Sequence, residues 1–128
     1  PILGICLGMQ LLTKHSEEGN IDGLGFINAQ TIKFKQDDSK LKIPHMGWNT
    51  VEYKKESYLR NDISLDPRYY FVHSYFVECN NTADVLCTTN YGAEFVSGFQ
   101  HNNIFGLQFH PEKSHKFGMQ LLANFCKL

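Results

Sequence analysis

The chain lacks the features of several protein classes. Its 128 residues hold four cysteines, Cys6, Cys79, Cys87 and Cys126, with no Cys-x-x-Cys pair. That spacing suits reduced intracellular thiols rather than a disulfide framework, and a cytoplasmic location is expected. The six histidines are scattered, and His110 and His115 match no common zinc spacing, so no metal is expected. Twelve Lys and Arg against thirteen Asp and Glu leave a formal charge of −1. A balance this even offers no basic face for phosphates, which argues against nucleic acid. No apolar run approaches the roughly 18–20 residues that span a bilayer, so no membrane is expected. There is no repeat, linker or low-complexity segment, and one domain over 1–128 is the expectation.

What is present begins at once. The chain opens on Pro1 and runs into PILGICLGMQLL without an initiator Met. No basic region precedes this stretch and no small-residue cleavage site follows it, so it does not read as a signal peptide. The chain is expected to be the C-terminal part of something longer.

PILGI followed by Leu7, Leu11 and Leu12 reads as strand, sharp turn, helix. Strands are expected at INAQTIKFK, WNTVEYK, VLCTTNYG, EFVSGFQ and NIFGLQFH, with QDDSK as a turn and KESYLRND as a short helix or loop. YYFVHSYFV reads as one strand buried on both faces. From Lys113 an amphipathic helix places Phe117, Leu121, Leu122 and Phe125 on one side.

Gly4-Ile5-Cys6-Leu7-Gly8 sits where strand meets helix and has the form of a nucleophile elbow built on a thiol. Glycines flank such a turn because neighbouring backbone comes too close for a side chain. The helix start would favour the thiolate. A buried cysteine on a glycine-rich turn is the structural alternative. Gln10 follows one helical turn after Cys6, either reaching over the sulfur or standing as an exposed helix residue. A cysteine nucleophile needs a base, and the base an orienter. Phe109-His110-Pro111-Glu112 ends an apolar strand, and in an extended segment Glu112 would share a side with the imidazole and fix its tautomer. Alone, His-Pro-Glu reads more readily as a turn than as a catalytic partner.

Taken together, GICLGMQLL and QFHPEKS resemble the class I (triad) glutamine amidotransferases, along essentially the whole chain. KIPHMGWN and YYFVHSY are similar to one branch, the glutaminase subunits of imidazole glycerol phosphate synthase. The resemblance implies an α/β, flavodoxin-like sheet with helices on both faces. It implies a Cys6–His110–Glu112 triad that releases ammonia from glutamine through a glutamyl thioester, without a cofactor. Gln10 and the backbone of His73, Ser74 and Tyr75 would hold the substrate. His45, Met46, Trp48 and Asn49, with Lys113 beside the triad, would face a synthase (cyclase) subunit in a heterodimer. Phe26-Ile27-Asn28-Ala29-Gln30 departs from that branch and is similar to paralogues feeding a sugar-modifying synthase of surface polysaccharide assembly. A stand-alone γ-glutamyl hydrolase is a further alternative. Family members carry strands and an oxyanion loop before the elbow, so residues 1–128 by themselves are expected to be inactive and poorly soluble.

Overall fold

A computed structural model describes residues 1–35 and 41–128; the turn expected at QDDSK lies outside the described residues. The order is β1 (Ile2–Ile5), α1 (Leu7–Leu11), β2 (His15–Ser16), β3 (Ile21–Asp22), β4 (Ala29–Lys33), β5 (His45–Thr50) and β6 (Glu52–Tyr53). There follow β7 (Arg68–His73), β8 (Tyr75–Cys79), β9 (Val85–Tyr91), β10 (Ala93–His101), β11 (Ile104–Leu107) and α2 (His115–Cys126). Single 3-10 turns cover Tyr58–Arg60, Thr82–Asp84 and Pro111–Lys113.

The main sheet runs β1-β11-β10-β8-β4-β2-β3, with β9 joining β10 and β6 joining β9. Two pairings are parallel, β1 with β11 and β2 with β4; the rest are antiparallel. β5 and β7 form a separate antiparallel pair. The β10–β11 hairpin turns at Asn102, whose φ of 53° is one that asparagine tolerates.

The sheet is covered on two sides. Met9 and Leu12, at the first helix, pack with Ile27, Ala29, Val77 and Phe99. Leu121 of α2 joins Phe105, Leu107 and Phe109 in the second cluster, and Phe125 meets the Phe105 ring edge-on at 6.0 Å. Phe99 lies opposite Gly106 in the β10–β11 register, so Phe105 and Leu107 point to the other face. One helix therefore covers each face of the β10–β11 region, an α/β arrangement on a strongly mixed sheet.

Three sequence expectations change. YYFVHSYFV is two strands that part at Ser74: β7 pairs β5, while β8 pairs β4 and β10. An unbroken apolar run records burial, not a change of sheet, because each half is buried against different neighbours. WNTVEYK is likewise interrupted at Val51, where β5 leaves the small sheet and β6 joins β9. The last helix begins at His115 rather than Lys113, since residues 111–113 form a 3-10 turn with Pro111 at its start.

That turn lies directly against α2. A Cβ added to Gly118 would stand 1.8 Å from the Pro111 carbonyl oxygen, so helix and turn meet backbone to backbone. Gly118→Ala is expected to push the 111–113 turn off the helix and to cost several kcal/mol of stability, the range of overpacked cores being about 1–3 kcal/mol or more. Urea denaturation of the variant measures this; an unchanged midpoint would contradict the contact.

Candidate active site

The parallel pairing of β1 with β11 builds the site. Ile5 stands opposite Leu107, and the Cys6 N–H donates to the Leu107 carbonyl at 2.8 Å. Both chains thus leave the sheet at the carboxyl ends of adjacent parallel strands, where α/β sheets place their chemistry. One leads into the elbow and the other, through Gln108 and Phe109, to His110.

Cys6 adopts φ 53°, ψ −108° as α1 begins. A left-handed φ on a residue with a Cβ costs on the order of 1–3 kcal/mol and persists only where surroundings impose it. Gly4 is one of those surroundings: a Cβ there would lie 2.6 Å from the Gly8 carbonyl oxygen. Gly8 differs from expectation, because a Cβ on it would meet nothing within 4 Å among the described residues. Here the tight approach uses the Gly8 carbonyl and the missing side chain of Gly4.

The thiol is half-buried. Its Sγ points to the Val72 carbonyl at 3.8 Å and receives the Gln108 side-chain amide at 3.7 Å. Burial pushes the Cys6 pKa up, and the Glu112 and Glu18 carboxylates add to this; the Leu7 N–H and the Gln108 amide oppose it. The expectation that the helix start would favour the thiolate is thus outweighed by desolvation. Such a sulfur needs a base to become reactive.

His110 follows β11 on the neighbouring stretch of chain. Its backbone N–H donates to the Tyr70 carbonyl at 2.9 Å, and its Nδ1 lies 2.6 Å from Glu112 Oε1. The carboxylate only accepts, so Nδ1 carries a proton, and in the neutral ring Nε2 is the nitrogen with the lone pair. That Nε2 is buried and has no hydrogen-bond partner among the described residues. Glu112 reaches the ring through the 3-10 turn, not through an extended i, i+2 alternation.

The other residues singled out by sequence divide. Gln10 is buried, its Nε2 donating to the Tyr75 carbonyl at 3.3 Å and to Gln108 Oε1 at 3.2 Å. His73, Ser74 and Tyr75 form the junction of β7 and β8. On β5, Met46 and Trp48 are exposed, while Lys113 is exposed next to Glu112 in the 111–113 turn. Trp48 stacks on His115 at 5.3 Å and meets Tyr70 edge-on at 6.2 Å. His45 is a correction: as an outward-facing residue it was misread, for its side chain is buried between Phe71 and Tyr91. Strand alternation sends His45 and Asn49 inward and Met46 and Trp48 outward.

His45 and His73 form a buried pair that sequence reasoning did not foresee, with Nδ1 of the first 2.9 Å from Nε2 of the second. The proton positions follow from the ends of the chain. His73 Nδ1 must donate to the Tyr75 carbonyl at 2.8 Å, so its Nε2 accepts from His45 Nδ1. His45 Nε2 then accepts from Asn49 Nδ2 at 3.2 Å. Asn49 is oriented by the Asn90 carbonyl, to which Nδ2 also donates, and by the Thr50 N–H, which its oxygen accepts. Protonating either ring would set two donors face to face. Gln108 was missed as well; a fully buried amide in the apolar strand NIFGLQFH, two residues from His110, was the available signal. Among the described residues no three His, Cys, Asp or Glu side chains converge on a metal-sized site, and no helix is long and apolar enough to cross a membrane.

A family model for glutamine amidotransferase class-I matches residues 1–128. The chain belongs to that family. Its fold is similar to solved structures of a putative GMP synthase subunit from Thermoplasma acidophilum (TM-score 0.72, 24% identity, 99% of this chain, 56% of that one) and of a glutamine amidotransferase from Thermotoga maritima (TM-score 0.66, 22% identity, 99% and 47%). Among curated relatives, imidazole glycerol phosphate synthase subunit HisH 2 of Methanococcus maripaludis is 57% identical over 127 residues, covering 99% of this chain and 62% of that protein. Subunit HisH of Leptospira borgpetersenii is 48% identical over 130 residues, covering 100% and 64%. The chain therefore spans less than two thirds of the length of these relatives.

Two expectations follow from the geometry. Cys6→Gly should be more stable than Cys6→Ala by about 1 kcal/mol, because glycine accepts the left-handed φ and alanine does not; paired thermal melts compare them. The pKa values of His45 and His73 are pushed by burial to about 4, below the ordinary 6.5. Both rings lie below their unfolded value, so the folded state binds fewer protons than the unfolded between those pH values. Their contribution is present above about pH 6.5 and is lost as pH falls toward 4. NMR titration should find two imidazoles neutral at pH 5, while exposed His15, raised by Asp22, is already charged; all histidines titrating near 6.5 would refute the paired arrangement.

Proposed function

We propose that the protein carrying this chain is a glutaminase that feeds ammonia to the cyclase subunit of imidazole glycerol phosphate synthase in histidine biosynthesis. The observation that carries this reading is a strained cysteine at the end of β1, with the adjoining strand end leading to a histidine whose Nδ1 is held by Glu112 and whose buried Nε2 has no partner among the described residues. Family membership supplies the substrate class, and relatives named as synthase subunits supply the pathway.

In this reading His110 Nε2 takes the Cys6 proton, and the thiolate attacks the side-chain amide carbon of glutamine. The tetrahedral intermediate collapses as His110 returns the proton to the nitrogen, the C–N bond breaks and ammonia leaves. Water, deprotonated by His110, attacks the thioester; the C–S bond breaks, and glutamate and the Cys6 thiol are released. Glu112 stabilises the imidazolium between these transfers. Gln10 and the His73–Ser74–Tyr75 backbone line the approach to the sulfur and hold the amino-acid end of glutamine. Met46 and Trp48 form the exposed apolar face for the synthase subunit, with Lys113 at its border. Trp48 touches Tyr70, whose carbonyl anchors His110, so docking would press on the base directly. The names of the relatives favour this partner over a sugar-modifying synthase.

Glutamate release from glutamine tests the proposal, using the complete protein with and without the cyclase subunit and its nucleotide ligand. Stimulation of at least about tenfold is expected, within the roughly 5–150-fold range of coupled sites, and it should vanish in Cys6→Ala. His110→Asn should lose about 10²–10⁴ in kcat. Cys6-dependent release without response to the cyclase would keep the chemistry and reject the partner.

A further inference from the structure

Gln108 has no role in the proton path described above, yet it is fully buried and aimed at the nucleophile. Its backbone is pinned on both sides: the preceding carbonyl of Leu107 accepts the Cys6 N–H, and its own N–H donates to the Ser97 carbonyl at 2.9 Å. Its side chain is pinned too. A backbone carbonyl can only accept, so the Tyr75 oxygen forces Gln10 to present its NH2 group. That NH2 also faces Gln108, which must answer with Oε1. The remaining end of Gln108, its own NH2, is thereby turned toward Cys6 Sγ. The polarity of two buried amides is set by one main-chain oxygen.

A thiol is a weak acceptor and a thiolate a strong one, so an N–H held at the sulfur acts mostly on the charged form. The Val72 carbonyl on the sulfur does the reverse, since it can serve only the protonated thiol. Resting on the reading of Cys6 as nucleophile, we infer that Gln108 is a further catalytic residue: its side-chain amide receives the charge that appears on Cys6 Sγ when His110 removes the proton. Gln10 then has a positioning role beside any contact with substrate, because it keeps the Gln108 amide from turning over. Without that lock, Gln108 could present Oε1 to the sulfur and oppose the same charge.

The test follows the sulfur rather than the reaction. In the complete protein, alkylation of Cys6 by iodoacetamide is measured against pH for the wild type, Gln108→Met and Gln108→Glu. The midpoint should rise by about one pH unit in Gln108→Met, the size of one hydrogen bond to a charged group, and alkylation near pH 7 should slow about tenfold. Gln108→Glu, which sets a carboxylate on the thiolate, should shift it further. Midpoints within about 0.3 unit of the wild type in both variants would overturn the inference. A second readout needs no Gln108 variant: in the 15N-labelled wild type, the Gln108 side-chain amide resonance should move with the Cys6 titration and lose that step in Cys6→Ala. A resonance that ignores the titration overturns the inference even where a variant fails to fold. Shifted midpoints without glutamate release would reject the glutaminase reading and keep Gln108 in its role; release with unshifted midpoints would do the opposite.

Discussion

The centre depends on one parallel strand pair. β1 and β11 lie side by side with Ile5 opposite Leu107, and the hydrogen bond from the Cys6 amide to the Leu107 carbonyl closes the ladder at the point where both chains turn away. Everything reactive is counted from that bond. Cys6 leaves on one side in a backbone conformation it would not choose, Gln108 leaves on the other with its amide on the sulfur, and His110 follows two residues later. A slip of one residue would reverse the side chains of β11 and carry Gln108 away from the thiol. The hydrophobic clusters on the two faces of β11 oppose such a slip, so core packing holds the chemistry in register.

Beside this pair lies a chain of largely buried polar groups that are joined by hydrogen bonds. The chain Asn49, His45, His73 and the Tyr75 carbonyl has a single direction of donation, and Gln10 donates to the same oxygen from α1. Its two ends are Asn49 on β5 and Gln10 on α1, one helical turn after Cys6. Each member is either donor or acceptor at a given atom, so no bond can reverse without losing its neighbour. In this arrangement the backbone at the β7–β8 junction is held by one side chain from the small sheet, His73, and one from α1, Gln10.

Much of this was legible in the amino-acid sequence, and the rest was hidden for definite reasons. The elbow and the His-Pro-Glu segment could be read because their residue types have few other uses in combination. Met46 and Trp48 follow from alternation once β5 is placed. The division of YYFVHSYFV could not be read, because a run of apolar residues looks the same whether it stays in one sheet or passes between two. His45 was misjudged for a related reason: its place in the short motif suggested a surface, while the phase of the strand turns it inward. Gln108 went unremarked because a polar residue near the end of an apolar strand looks like the strand fading out, and its partners lie far away in sequence. The elbow was assigned the right strain for partly another cause, since a Cβ on Gly4 would strike the Gly8 carbonyl, while one on Gly8 would meet nothing among the described residues.

The β1–β11 pairing also orders events during synthesis. Ile2 meets Ile104, so the first strand of this chain must wait for one of the last to emerge. At about 5–20 residues per second, that delay is roughly 5–20 s on the ribosome. The local hairpin of β10 and β11 can form as soon as both are made, whereas the contact that creates the centre has one of the longest loops in the chain to close. The thiol is therefore an ordinary cysteine throughout elongation. It comes next to the segment that carries His110 only after β11 has been made.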